Sequence, residues 1–295
     1  MTSVIPSAFD YEAPATLQEA VDLLARSGDG AKVLAGGQSL IPLLKLRLAT
    51  PTLLVDINRI RGLDFIKEAE EGLRIGALTR MADVEASAVI RKKHAIIHDA
   101  SAVIGDPQVR NLGTMGGNLS HGDPTNDMPA VMLALGAEFM ATGRSGTRAL
   151  KADGFYLDTF SVGLDPGEIL TEVRVPQVPP RSGGAYLKLE QKAADFATAG
   201  AAVNLSLDSK GTVQSAGIGL TAVGPTAIKA KKAAYYLTGK KVTNKEVQIE
   251  TADRAAEESD PTADVRGTVE YKKQVVRVLV ARAVKAAHAR TRGRY

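Results

Sequence analysis

Between Thr16 and Ser27 the apolar residues Leu17, Ala20, Val21 and Leu24 recur at three- and four-residue intervals. That spacing predicts an amphipathic helix with one buried face. Thr16 precedes it and Glu19 stands three residues on, so hydroxyl and carboxylate can each satisfy an orphan backbone donor of the first turn. A short apolar run, Val33-Leu34-Ala35, is then broken by Gly36-Gly37, and a further apolar stretch from Leu40 to Leu48 precedes the strand-like Leu53-Leu54-Val55-Asp56-Ile57. The predicted order over residues 1–60 is helix, strand, glycine turn, helix, strand: an α/β lobe.

Residues 61–176 carry a second α/β lobe. Leu73–Leu78 reads as a strand, Met81–Ala86 and His94–Ile104 as helices, and residues 105–127 as a long polar, glycine-rich stretch leading into a helix at Pro129–Leu135. Glu138–Ala141 and Thr147–Lys151 flank Gly143-Arg144-Ser145-Gly146 as a hairpin, and a strand at Ile169–Val175 ends at Pro176. Residues 177–184, rich in proline and glycine, read as a linker. In the C-terminal domain, residues 185–295, two strands (199–207 and 212–222) join through Asp208-Ser209-Lys210-Gly211. Helices follow at Thr226–Leu237, at Asn244–Glu258 with Thr243 as cap and Glu246 three residues on, and from Val269 onward. A sheet covered on one side by helices is the simplest packing. The fold class is α+β: two lobes plus a C-terminal sheet-and-helix domain.

Composition narrows the chemistry. The 295 residues include no cysteine, which excludes disulfides, thiolate zinc sites, cysteine nucleophiles and any Fe–S cluster held by this chain's own thiolates. His94 and His98 stand four apart on a predicted helix, where they either share a metal or lie on a solvated face. No apolar run is long enough to span a membrane, and Met1 to Pro6 lacks the layout of a signal peptide, so a cytoplasmic protein is expected. The net charge of +4 is partly local: Lys272, Lys273, Arg277, Arg282, Lys285, Arg290, Arg292 and Arg294 follow one another with no acid between them. Such a run is read as the solvated side of a terminal helix or a surface for a partner protein rather than a nucleic-acid stripe.

Two glycine turns carry the candidate chemistry. A pyrophosphate needs backbone N–H groups aimed at it and no Cβ in the way, and a strand-to-helix turn of glycines supplies both. Ala35-Gly36-Gly37-Gln38-Ser39-Leu40 meets that demand, and Leu112-Gly113-Thr114-Met115-Gly116-Gly117-Asn118 meets it again. Neither is a G-x-G-x-x-G fingerprint or a P-loop. The second turn lies among Asp106, Gln108, Arg110, Asn111, His121, Asp123, Asn126 and Asp127, more polar groups than a plain loop requires. Asp127, at a helix start, either takes a sugar or ribityl hydroxyl or is an ordinary N-cap.

Ala35–Leu40, Asp106–Asn118 and Asp123-Pro124-Thr125-Asn126-Asp127, taken with Leu43–Leu48, Val55-Asp56-Ile57-Asn58-Arg59 and Asp195–Gly200, resemble the FAD-binding medium subunit of molybdenum hydroxylases. The aerobic carbon monoxide dehydrogenase type is the nearest likeness, with the flavin domain of xanthine dehydrogenase as a relative. The resemblance implies a two-lobed flavin domain of the vanillyl-alcohol-oxidase type holding FAD non-covalently. It places Val33, Leu34, Ala35, Gly36, Gly37, Gln38, Ser39 and Leu40, with Gly113, Thr114, Met115, Gly116, Gly117 and Asn118, along the pyrophosphate and flavin. It gives Asp127 a cofactor hydroxyl, Leu170 an approach to the ring and Lys188 an electrostatic contact, with Met115 packing as an apolar residue. His121 then lines the site without a covalent link.

The resemblance further implies a large subunit with a molybdopterin centre and a small subunit with two [2Fe–2S] clusters, assembled as a dimer of heterotrimers. Electrons from the clusters would pass through this chain's FAD to an external acceptor, with no catalytic group for the organic substrate needed here. The missing cysteines agree, because the clusters must then sit on another chain. Two other readings stay open: a stand-alone flavin-dependent oxidoreductase of the same superfamily, and a non-catalytic binding or assembly protein.

Overall fold

In the computed structural model, which describes residues 5–292, the first lobe holds β1 (Asp10–Glu12), α1 (Leu17–Ser27), β2 (Ala31–Leu34), α2 (Leu40–Lys45) and β3 (Leu53–Asp56). Its three strands are parallel in the order β1-β3-β2. The capping box forms as the spacing predicts: Thr16 Oγ1 accepts from the Glu19 N–H, and Glu19 Oε2 accepts from the Thr16 N–H, both at 3.2 Å. Ala20, Val21 and Leu24 are buried against Val55 and Ile57. Strand β1, Asp-Tyr-Glu, is exposed and polar, so no apolar pattern announces it. Helix α2 ends at Lys45, short of the apolar stretch; Leu46 and Leu48 stay exposed.

The second lobe contains β4 (Ile66–Ala69), β5 (Gly72–Gly76), α3 (Met81–Ala86), α4 (Ala88–Lys93), α5 (Ala95–Ala102), α6 (Pro107–Leu112), α7 (Met115–Ser120) and α8 (Asp127–Leu135). The strands β6 (Glu138–Gly143), β7 (Gly146–Lys151), β8 (Tyr156–Asp158), β9 (Ser161–Val162) and β10 (Ile169–Pro176) complete it. Five of its strands form an antiparallel sheet, β4-β5-β10-β6-β7, with the predicted hairpin at one edge. The polar stretch 105–127 is not a plain loop. Asp106 caps α6 through the Val109 N–H at 2.8 Å with Pro107 at the first helical position, and Thr114 caps α7. Arg110 pairs with Glu85, and Asp123 organises the turn at Thr125, so much of that polarity serves the backbone.

The third part comprises β11 (Ser182–Glu190), β12 (Ala197–Leu207), β13 (Val213–Thr221), β14 (Ile228–Lys229), α9 (Lys231–Leu237), α10 (Lys245–Glu258) and α11 (Val269–Arg290), with an antiparallel sheet β11-β12-β13-β14. Residues 182–184 belong to β11 rather than to a linker. Gly183 and Gly184 sit there because a Cβ would meet Ala287 O at 2.1 Å and Ile96 Cβ at 3.0 Å. Residues 228–229 form a strand, so the helix begins at Lys231, and α10 is capped by Asn244 rather than Thr243.

The sheet is covered on both faces, not one. Ala199, Ala201, Val203 and Leu205 join the core made with α9, α10 and α11, while Tyr186 and Ala202 face the core of the second lobe. Helix α8 packs on β12 and β13, and α5 on β11. Gly217 and Gly219 of β13 let the α8 backbone approach: a Cβ at either would lie 2.0 Å from the Ala134 or Ala130 carbonyl oxygen. The basic C-terminal run is partly spent inside the fold. Lys272 is buried and paired with Asp264, Arg277 pairs with Asp253, and Arg290 binds Asp99 of α5. Arg294 lies outside the described residues.

Gly219→Ala should force α8 and the sheet apart and lower stability by about 1–3 kcal/mol, as overpacking of a tight interface does. A urea melt checks this, and an unchanged midpoint would count against the packing.

Candidate functional site

Strand β2 delivers the chain into Ala35–Ser39, from which α2 departs. Gly37 has φ +72°, a conformation that favours glycine. Gly36 is demanded by something else: a Cβ there would lie 2.2 Å from Leu112 O and 2.8 Å from Gly113 Cα. The two glycine turns, distant in sequence, are in backbone contact. Among the described residues, no acceptor meets the backbone N–H of Gly36, Gly37, Gln38, Ser39 or Leu40, and Ser39 does not cap α2. Val33 and Leu34, in β2, are half-buried beside this turn.

The second turn is built differently, and it does not offer the row of free amides that its glycines suggest. The N–H groups of Gly113, Met115, Gly116 and Asn118 donate to Val109 O, Thr79 O, Ala77 O and Thr114 O at 2.7–3.0 Å, and that of Gly117 to Thr114 Oγ1 at 3.1 Å. Within 113–118 only the Thr114 N–H lacks an acceptor among the described residues. Gly116 is required by packing, since a Cβ would sit 2.6 Å from that of Ala77. Met115 is fully buried in the second-lobe core. Beside it, Asn118 Oδ1 is buried with no partner among the described residues. Close in sequence, His121 packs against Phe160 at 5.1 Å, and burial lowers its pKa.

A chain of side chains ties the turns together. Asn58 Nδ2 donates to Ala35 O at 2.8 Å and to Asp56 Oδ1 at 2.6 Å. Arg80 donates through Nη2 to Asn58 Oδ1 at 2.7 Å and through Nη1 to Leu112 O. Tyr11 closes the far end by donating to Asp56 Oδ2 at 2.5 Å. Neither Arg80 nor Tyr11 was marked by any residue pattern, because their roles come from contacts across lobes.

Asp127 is not the N-cap of α8; Asn126 holds that position. The Asp127 carboxylate, 5% exposed, accepts from the Tyr186 hydroxyl at 2.5 Å and lies 3.4 Å from Lys188 Nζ. Lys188, its side chain 2% exposed, also donates to Val103 O and Asp195 O and pairs with Glu190 at 3.3 Å. The structure thus brings Asp127 and Lys188 together as a buried hub joining α8 to β11. Burial pushes the Asp127 carboxyl up to about 6, against the lowering pull of Lys188 and Tyr186. Leu170 is buried in the second-lobe core beside a β-bulge at Leu170 and Glu172. His94 is not on a solvated face but buried, its pKa pushed down to about 4, and His98 bonds to the Glu85 carbonyl. Among the described residues no three metal-ligating side chains cluster.

Because the folded protein holds Asp127 above its ordinary pKa, the folded state binds more protons there than the unfolded state between about pH 4 and pH 6, and this contribution to stability is lost as pH rises through that window. Asp127→Asn removes the effect, so its melting temperature relative to the parent should climb from pH 4 to pH 6.5. A difference that stays flat across that range would show that Asp127 is not desolvated.

The family model described as the FAD binding domain in molybdopterin dehydrogenase matches residues 7–178, and that of the CO dehydrogenase flavoprotein C-terminal domain matches residues 184–287. The carbon monoxide dehydrogenase medium chain of Hydrogenophaga pseudoflava is 43% identical over 97% of this chain and 99% of its own length. A 6-hydroxypseudooxynicotine dehydrogenase complex subunit alpha from Paenarthrobacter nicotinovorans is 38% identical over 97% of both chains. In structure, carbon monoxide dehydrogenase from Hydrogenophaga pseudoflava superposes with a TM-score of 0.94 at 44% identity, over 97% of this chain and 99% of that one. Among the described residues, no helix is long and apolar enough to cross a membrane. The chain belongs to the FAD-binding oxidoreductase subunits of the molybdopterin dehydrogenases, with the C-terminal domain of the CO dehydrogenase flavoproteins.

Proposed function

We propose that this chain is the electron-relay subunit of a cytoplasmic molybdenum hydroxylase, taking electrons from [2Fe–2S] clusters on a small partner subunit and passing them to an external acceptor. The observation that carries the reading is the run of five N–H groups at Gly36–Leu40 that meet no acceptor among the described residues, seated against the second glycine turn. Consecutive amides at a helix start are complementary to a pyrophosphate. Bound FAD supplies a centre that can be filled and emptied one or two electrons at a time.

The chain's own residues bind and orient. Val33 to Leu40 would line the pyrophosphate, with amides rather than cations neutralising it. Gly113 and Thr114 to Asn118 would form the opposing wall, where the Thr114 N–H and the buried Asn118 Oδ1 offer one donor and one acceptor. Asp127, with one oxygen on Tyr186 and the other near Lys188, keeps spare lone pairs for a cofactor hydroxyl. Lys188 would act on the cofactor through that carboxylate, and Leu170 would give an apolar wall near the ring. Two lobes of a flavin domain, meeting at these turns, and a C-terminal domain bolted on through β11 and α8 make up this division of labour.

No cysteine is available here for a cluster, so the [2Fe–2S] centres would lie on the small subunit and the molybdopterin on the large one, in a dimer of heterotrimers. That the two relatives are a medium chain and a complex subunit supports a multi-chain assembly.

The purified protein should be yellow, absorb near ~450 nm and release about one FAD per chain on denaturation. Gly36→Val, which pushes a side chain into Leu112 O, should cut FAD content at least ~10-fold while leaving substrate choice in the assembled enzyme unchanged. A colourless parent protein would defeat the proposal, as would a Gly36→Val protein with full flavin and altered substrate preference.

A further inference from the structure

The first turn has little scaffolding of its own. Helix α2 is six residues long, Ser39 gives it no side-chain cap, and the five amides from Gly36 on are bonded to nothing in the described chain. Something else must fix the direction in which they face. The Ala35 carbonyl is held by Asn58 Nδ2 at 2.8 Å. A trans peptide holds its C=O and N–H antiparallel within one rigid plane, so anchoring the Ala35 oxygen points the Gly36 N–H the other way.

Asn58 cannot swing, because every polar atom of its amide is used. Its Oδ1 accepts from Arg80, and its Nδ2 is shared between Ala35 O and Asp56 Oδ1, while its backbone N–H also binds Asp56 Oδ1 at 2.9 Å. Arg80 extends the grip to the second turn by donating to Leu112 O, the oxygen against which Gly36 packs. The Arg80 backbone is itself bridged to Thr114. One guanidinium and one amide therefore hold a carbonyl from each turn, on a fork that a single ammonium cannot reproduce.

We propose that Asn58 and Arg80 are positioning residues for the cofactor: they fix the carbonyl side of both turns so that the amide side of the first faces the FAD pyrophosphate. This rests on the FAD reading given above. Neither residue needs to touch the cofactor. Their contribution is pre-organisation, so losing them loosens the cradle without emptying a core, since Asn58 is exposed and Arg80 half-buried.

The test uses the full-length protein with its flavin removed, titrated with FAD by fluorescence and read by visible-region circular dichroism. Asn58→Ala and Arg80→Ala should each weaken FAD at least ~10-fold and alter the flavin dichroism, and the double variant should fall well short of the ~100-fold that independent sites would give. Arg80→Lys, keeping one donor, should recover part of the loss, and the melting temperatures of the flavin-free proteins should stay together. Variants that bind FAD as the parent does, with the same dichroism, would overturn the positioning role alone. So would a loss of binding that only tracks loss of folded protein. A parent protein that takes up no FAD would overturn the flavin reading and this inference with it.

Discussion

The site depends on one close approach, the Cα of Gly36 against the Leu112 carbonyl. It joins a turn of the first lobe to a turn of the second without any side chain between them, and only glycine permits it. The groups around the two turns support that contact. Arg80 holds the Leu112 oxygen, Asn58 holds the Ala35 oxygen, and the second turn spends its amides on Thr79, Ala77 and Thr114 to stay rigid. The first turn, propped in this way, keeps its own amides unspent. The two glycine turns look alike in sequence but divide the labour under the proposed reading: one is the brace and the other the cradle.

A second constraint ties the C-terminal sheet to this arrangement. Asp127 opens α8, Tyr186 and Lys188 stand two apart on one face of β11, and the three meet in a buried hub. Arg290 of α11 reaches Asp99 of α5 across the same junction. A carboxylate whose pKa is raised by burial and restrained by a lysine is costly to keep. Its place at the seam between sheet and lobe makes the seam sensitive to the ionisation of a single group.

Much of the fold was legible because its signals are local. The α1 capping box, the hairpin at Gly143–Gly146 and the turn at Asp208–Gly211 are each written in a handful of consecutive residues. What the sequence hid is what depends on distant partners. Strand β1 is polar and becomes a strand only by pairing with β3. Thr226–Leu237 mimics a continuous helix until Ile228 and Lys229 pair with β13. A one-sided sheet was expected because no apolar pattern in β12 or β13 says that α5 and α8 will cover the other face. The glycines at 217 and 219 were that signal, and they pass easily for turn residues. At the site, the glycine motifs and Asp127 were visible as residue types. That the second turn is already saturated, and that Asn58 and Arg80 tie it to the first, follows only from contacts across the lobes.

Amide hydrogen exchange of the full chain with and without FAD tests the central claim most directly, read on peptides covering residues 36–40 and 113–118. Added FAD should slow exchange strongly at Gly36–Leu40, whose amides have no acceptor in the described chain, and change little at Met115–Asn118, whose amides are already bonded. Protection concentrated on the second turn, or absent from the first, would contradict the division between cradle and brace.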